Sequence, residues 1–383
     1  MPKYKLAFII ERYFKFGGLQ RDMRKFAQAC AEAGHDVTVF TNMWDGPEER
    51  LFRVEIVNLK ASSNHKTIKK IEKLVYSLKQ KSEFDCIVGF NRMGGLDVYF
   101  GGDPCLRAKL KSNGRAWLSF LPRYHTYLQL EQAVFGPDSD TDVMVISPTE
   151  LETISRTYKI APNRIHLLPP GIDRERLIKY SMTAQQRKEF RKQYGINDDG
   201  FLLLTIGSSF MTKGIDRAIE AIASLPENMK SRCRYIVIGQ GDENKFQAIA
   251  SKAGIGKNII FAGGREDIGA FYYASDLLLH PARTETAGHT LLESMVCSLP
   301  VIVTEHCGYA RYVREAKGGL ICPDPFVQGQ LNNILKDFLN NKDARQQYGQ
   351  NGFSYTETSD IYSMTDKAVK IILDRAAKKS IAK

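Results

Sequence analysis

The stretch from Asp276 to Val313, DLLLHPARTETAGHTLLESMVCSLPVIVTEHCGYARYV, restricts the fold more than any other part of the chain. It opens on Leu277 to Leu279, an apolar run too short for a helix and bounded like a buried strand. A polar loop with a glycine follows, then an amphipathic segment, then the β-branched run Val301-Ile302-Val303. Strand, loop, helix and strand in that order make a βαβ unit of a parallel sheet. Such sheets take ligands in the crevice beyond the carboxyl ends of their strands, and the loop Arg283 to His289 falls there.

Glu285 and Glu293 bracket this loop with seven residues between them. A helix beginning near Gly288–Thr290 leaves Glu285 in the crevice loop and puts Glu293 in the first turns. Leu291, Leu292, Met295 and Val296 then share one arc of the wheel, with Glu293 outside it. Backbone N–H groups at a helix start attract an anion. Glu293 is suited to accept hydrogen bonds from vicinal hydroxyls, such as a ribose diol. The structural alternative is plain: Thr290-x-x-Glu293 is a capping box, and Glu285 an ordinary loop acid.

With 383 residues, 43% of them hydrophobic, the chain can bury a large core and is expected to form two domains. A net charge of +11 points to an anionic partner: nucleic acid, an acidic membrane or a phosphorylated substrate. The seven cysteines include no C-x-x-C, which suits reduced, buried thiols rather than disulfides or a zinc site. The start, MPKYKLAFII, lacks an apolar region and cleavage site of signal-peptide type. No apolar stretch approaches the roughly 18 residues of a membrane span. The expectation is a soluble protein, at most seated on a membrane surface.

Lys5 to Ile10 reads as the first strand, followed by the diglycine Gly17-Gly18 and a helical pattern from Met23 to Ala33. Glycines between a strand and a helix let backbone amides approach a phosphate, though a Gly-Gly turn also serves as a simple tight connection. Asp36 to Thr41, Asp85 to Gly89, Val143 to Ser147 and Ile165 to Leu168 supply further strands. Between Leu106 and Glu131, basic residues (Arg107, Lys109, Lys111, Arg115, Arg123) interleave with Trp117, Phe120, Tyr124 and Tyr127. That mixture suits docking on anionic lipid headgroups. It also suits stacking on single-stranded nucleic acid, or a basic helix whose aromatics are core. Asp138-Ser-Asp140-Thr-Asp142 lacks the glycine and distal acid of a calcium loop, having Val143 and Thr149 there, and reads as a solvated acidic turn without metal.

Pro169-Pro170-Gly171-Ile172-Asp173 punctuates the chain as a hinge. The expected domains are therefore 1–168 and 169–355, with a final helical segment, 356–383, packing back on the first. The second half has a charged helix, Gln185 to Tyr194, and strands Phe201 to Gly207, Tyr235 to Gly239 and Ile259 to Gly263. Ser208 to Gly214 is not a Walker loop, because Thr212 stands where glycine precedes the lysine. Gly239-Gln240-Gly241 is not a dinucleotide fingerprint, because the third glycine is replaced by Asn244.

The spacing Glu285 to Glu293, with Leu299-Pro300-Val301 and Cys307-Gly308-Tyr309 after it, resembles the signature of the retaining family-4 glycosyltransferases. The resemblance implies a GT-B fold: α/β, two Rossmann-like parallel-sheet domains with the active site in the cleft between them. It implies that Glu285 faces the donor sugar, Glu293 binds the ribose and Lys213 lies on the donor diphosphate. Many members place an arginine just before that lysine; Thr212 departs from this, leaving more to Lys213 and backbone amides. Arg265 and Ile268 match the region that contacts the uracil. Ala287, Gly288, His289, Thr290 and Leu291 match the helix start beside the nucleotide sugar, and Gly17 and Gly18 match the first-domain loop facing it. Asp103 occupies the region where many relatives keep a histidine and is a candidate catalytic residue on the acceptor side. The alternative is a loop aspartate with no special task. Arg21 and Asp22 are acceptor-side candidates.

Phe14 to Asp22, Gly89-Phe90-Asn91, Gly95 to Phe100, Leu168 to Ile172 and Cys307 to Ala310 narrow the resemblance to the lipopolysaccharide core glucosyltransferases. The implied reaction is retaining transfer of a hexose from UDP-glucose to an inner-core heptose, by a front-face route in which the donor phosphate takes the acceptor proton. The UDP-sugar is a co-substrate, with no cofactor, no metal and no obligate protein partner expected. The implied location is the cytoplasmic side of the inner membrane of a Gram-negative bacterium, held to anionic lipid. Another UDP-sugar or glycan acceptor, a GT-B epimerase or phosphorylase, and a basic nucleic-acid-binding protein are the alternatives.

Overall fold

The computed structural model describes residues 2–15 and 17–381; Phe16 of the first-loop stretch and residues 382–383 of the final segment lie outside the described residues. The chain divides into two units, one running to Gly171 and resuming at Ser363, the other spanning Ile172–Tyr362.

The first unit is built on a seven-stranded sheet. Its strands are β1 (Lys5–Ile9), β2 (Asp36–Thr41), β3 (Arg53–Ile56), β4 (Cys86–Gly89), β5 (Val98–Phe100), β6 (Asp142–Val145) and β7 (Ile165–Leu167). All neighbours pair in parallel, in the order β3-β2-β1-β4-β5-β6-β7. β1, β4 and β5 are apolar on both faces because helices cover both faces. The order reverses between β1 and β4, and such a switch point opens a crevice at the strands' carboxyl ends.

The first helix, Gly18–Glu32, starts at the diglycine rather than at Met23, and buries Met23, Phe26, Ala27 and Cys30. Gly17 is extended, so the chain can turn from loop into helix there without a side chain in the way. The helix Met364–Ile381 packs on Gly18–Glu32 and β4 through Ala368, Ile372 and Ala376. Ion pairs fix it, among them Lys379 to the buried Asp97 and Arg375 to Asp140, each at 2.8 Å. The acidic turn is exposed at Asp138 and Asp140, as expected, and Asp142 lies 3.1 Å from His166.

Leu106 to Glu131 forms the helix Leu106–Ser112, a 3-10 turn at Ala116–Phe120 and most of the helix Pro122–Phe135. Core burial here falls on Leu110 and on the end of the last helix, through Leu130, Val134 and Phe135. Trp117 and Phe120 are 62% and 87% exposed, so the core reading fails for these two aromatics. The buried Glu131 carboxylate ties the segment down. It accepts from the Leu106 and Arg107 amides, the Tyr158 hydroxyl and Arg92.

The second unit repeats the plan with β8 (Phe201–Ile206), β9 (Cys233–Ile238), β10 (Ile259–Phe261), β11 (Leu277–His280), β12 (Val301–Thr304) and β13 (Gly319–Cys322). These six strands are parallel in the order β10-β9-β8-β11-β12-β13. The expected βαβ unit is present as β11, the helix His289–Val296 and β12. The core is a continuous cluster including Leu203, Tyr235, Val237, Leu277, Leu279 and Ile302. All seven cysteines are buried and free, as composition alone suggested.

Candidate active site

In the second unit the strand order reverses between β8 and β11. The loops leaving these two strands therefore open side by side, and they carry Lys213 and Glu285. After β8 comes Gly207 at φ +148°, where an added Cβ would lie 2.5 Å from Lys213 Cε. Glycine here lets the lysine side chain cross close over the strand end. The short helix Phe210–Lys213 is pinned by Phe210, buried between the rings of Phe246 and Phe261. Arg283 staples the two loops together. Its backbone amide donates to Thr212 O at 2.8 Å, and its guanidinium forms a two-point pair with Asp216.

The result is a direct ion pair between the Lys213 ammonium and Oε2 of Glu285. A second group reaches the same oxygen. His280 Nε2, at the end of β11 and with no exposed surface, lies 2.9 Å from Oε2. The Glu285 backbone is held too, in a one-residue parallel bridge to Cys307 with Gly308 N donating to Glu285 O at 2.9 Å. Burial pushes the Glu285 carboxyl up, but contacts with His280 and Lys213 outweigh it and hold the group at about 2. Glu285 is therefore an anion fixed in position, not a free loop acid.

Gly288 ends the loop at φ +111°, where a Cβ would stand 2.5 Å from Cys307 Sγ. The helix His289–Val296 starts there with no side-chain cap. The capping-box alternative is not realised. Thr290 Oγ1 is buried with no hydrogen-bond partner among the described residues, and Glu293 turns to other partners. Glu293 Oε2 accepts from the Tyr272 hydroxyl at 2.7 Å, and Oε1 from Arg176 at 2.9 Å. The Tyr272 hydroxyl is pushed well above its ordinary value by burial and by the Glu293 charge, so it stays a donor.

Arg265 and Ile268 frame the start of the helix Ile268–Ala274 that carries Tyr272. Arg265 pairs with Asp267 at 2.7 Å and lies over the Phe271 ring. The Leu291 side chain is fully buried, so only its backbone was ever eligible for a ligand; its amide instead donates to Gly288 O at 3.0 Å. The Ala287 carbonyl is likewise taken, by Tyr309 N and Cys307 Sγ. His289 packs edge-on against Tyr309.

In the first unit, the Gly17 amide donates to Phe14 O at 3.3 Å. That withdraws one of the two amides expected to face a phosphate, and leaves Gly18 as the glycine suited to it. Asp22 is buried and lies 3.9 Å from Arg21. Asp103 is exposed, and its backbone carbonyl accepts from Arg92 at 2.6 Å.

Donor atoms of His280, Glu285 and Cys307 lie within 4.8 Å of one another. A cation is already supplied there by Lys213, and the Cys307 thiol is pushed up by burial and donates to Ala287 O. The set is occupied by its own contacts. His280, Arg176, Tyr272 and Arg283 escaped the sequence reading. His280 alone left a signal: a polar residue closing an otherwise apolar strand.

Two parallel-sheet units of this strand order, with a lysine and two glutamates at the second switch point, define a glycosyltransferase of GT-B fold. The family model described as "Glycosyltransferase Family 4" matches residues 16–176, and "Glycosyl transferases group 1" matches residues 186–355. The chain belongs to this glycosyltransferase family together with the lipopolysaccharide glucosyltransferase WaaG of Escherichia coli K12. It is 38% identical to that protein over 96% of its own length and 98% of WaaG. The crystal structure of WaaG matches with a TM-score of 0.90 across 96% of this chain and 99% of that one. A more distant likeness, at 18% identity and a TM-score of 0.72, is to Anabaena HepE in complex with UDP-glucose; it covers 98% of this chain and 99% of that one and shows the fold alone.

Proposed function

We propose that the chain is a retaining glucosyltransferase that draws on UDP-glucose and glucosylates an inner-core heptose of lipopolysaccharide. The observation that carries this reading is the likeness to a lipopolysaccharide glucosyltransferase across 96% of the chain, through both units. In the transition state positive charge grows on the sugar and negative charge on the departing diphosphate. Lys213 supplies a fixed cation for the diphosphate, and the uncapped start of the helix His289–Val296 supplies backbone dipoles. Glu285 receives sugar hydroxyls and orients the ring. Glu293, anchored by Tyr272 and Arg176, receives the ribose diol. Arg265 and Ile268 lie along the uracil. On the first unit, the Gly18 amide is assigned to the diphosphate, and Arg21, Asp22 and Asp103 to the acceptor side.

Transfer proceeds without a metal, since Lys213 does the work a divalent ion does in other transferases. Among the described residues no helix is long and apolar enough to cross a membrane. The exposed Trp117 and Phe120, with Arg115 and Arg123 nearby, instead seat the protein on anionic lipid at the inner face of the cytoplasmic membrane. No obligate protein partner and no nucleic acid enter this reading. The test is thermal shift against a panel of UDP-sugars, followed by product analysis with truncated lipopolysaccharide, with and without chelator. Transfer of glucose with retention supports the proposal. Preference for another UDP-sugar would move the chain to a sister specificity, and loss of turnover in chelator would overturn the metal-free mechanism.

A further inference from the structure

We infer that His280 is a positioning residue for transfer: it keeps Glu285 in place when Lys213 is drawn from it to the donor's diphosphate. The inference rests on the proposed use of a UDP-sugar. Lys213 and His280 converge on one oxygen, Oε2 of Glu285. An incoming diphosphate competes for the lysine, and its greater charge favours the exchange. Glu285 would then be a buried carboxylate stripped of its cation, and free to turn away from the sugar.

His280 cannot be drawn off in the same way. Its side chain has no exposed surface, and its backbone is fixed in the sheet opposite Val303. Its other ring nitrogen, Nδ1, is buried without a hydrogen-bond partner among the described residues. A nitrogen buried in that state is a cost that leucine at the same place would avoid. The ring is therefore explained by what Nε2 does, which is to donate to Glu285. With both groups on Oε2, Oε1 is the oxygen left for a sugar hydroxyl.

The test compares His280→Leu, which fills the space without a donor, with His280→Gln, which restores an N–H. Binding of UDP and of UDP-glucose is followed by calorimetry, and transfer by kcat and KM. In His280→Leu, kcat should fall about a hundredfold, as for a reacting group displaced by an ångström. UDP, which carries no sugar, should bind as before, and His280→Gln should recover most of the lost rate. Wild-type kcat in His280→Leu would overturn the inference. So would equal losses of UDP and UDP-glucose binding in both variants, with no recovery by glutamine, which is the signature of a merely structural ring. If the leucine variant does not fold, His280→Asn, too short to reach Glu285, replaces it with the same expectation. An unmodified protein that binds no uridine nucleotide would overturn the UDP-sugar reading itself, and the two failures are told apart in that first titration.

Discussion

Tyr272 and Glu293 lie on separate helices and meet through a 2.7 Å hydrogen bond in the interior of the second unit. Arg176 takes the second carboxylate oxygen. Together they hold both carboxylate oxygens of Glu293 in place. Hydrogen bonds to a charged group contribute about 1.5–3 kcal/mol each. Tyr272→Phe and Arg176→Gln should each raise the KM for the donor by about tenfold or more. Both should also reduce the preference for UDP over 2′-deoxy-UDP, measured by competition; an unchanged preference would separate Glu293 from the ribose.

Lys213→Ala and Glu285→Ala should each lower kcat by about 10²–10³-fold, the usual cost of one preorganised electrostatic group. Both variants should stay folded, with melting temperatures lowered only by the loss of the Lys213–Glu285 pair and not by loss of core packing. Normal turnover in Lys213→Ala would remove it from the diphosphate.

The Glu285 carboxyl is held at about 2 in the folded chain, against 4.5 ordinarily. A depressed folded-state value means ionisation favours the native state. This contribution is fully present above about pH 4.5 and is lost as pH falls through about 2. Glu285→Gln should thus melt below the parent at pH 6, and the gap should narrow as pH falls from 4.5 toward about 2. Parallel curves over that range would contradict the assignment.

Gly288→Ala places a Cβ 2.5 Å from Cys307 Sγ at φ +111°. Strain of this kind costs about 1–3 kcal/mol. The loop between Glu285 and the helix start should shift, lowering both the melting temperature and kcat. A variant matching the parent in both would show that the loop yields freely.

Replacing Arg115, Trp117 and Arg123 together should release the protein from anionic vesicles in a sedimentation assay while leaving thermal stability intact, since these side chains are exposed. Undiminished co-sedimentation would reject lipid docking by this segment.

Strand positions and the parallel order of each half follow from short apolar runs separated by helical patterns, which is local information. Asp36–Thr41 matches its expected bounds, and β11 runs one residue past its own. Glu285 and Glu293 were visible through their spacing. Lys213 was visible only through the family resemblance, because a lysine after a strand has no local mark of function. The start of the first helix was read too late, since Gly18 to Asp22 carries no apolar period.

By itself the sequence determined the alternation of strand and helix, the βαβ unit around the two glutamates and the absence of a Walker or dinucleotide loop. Burial and hydrogen-bond periodicity act over a few residues and can be read in order along the chain. Only the tertiary structure decided that Lys213 and His280 share one oxygen of Glu285, that Tyr272 and Arg176 hold Glu293, and that the Gly17 amide is taken by Phe14 O. Lys213–Glu285, Tyr272–Glu293 and Arg176–Glu293 join residues 72, 21 and 117 positions apart, and what brings them together is the reversal of strand order and the need of buried polar groups for partners.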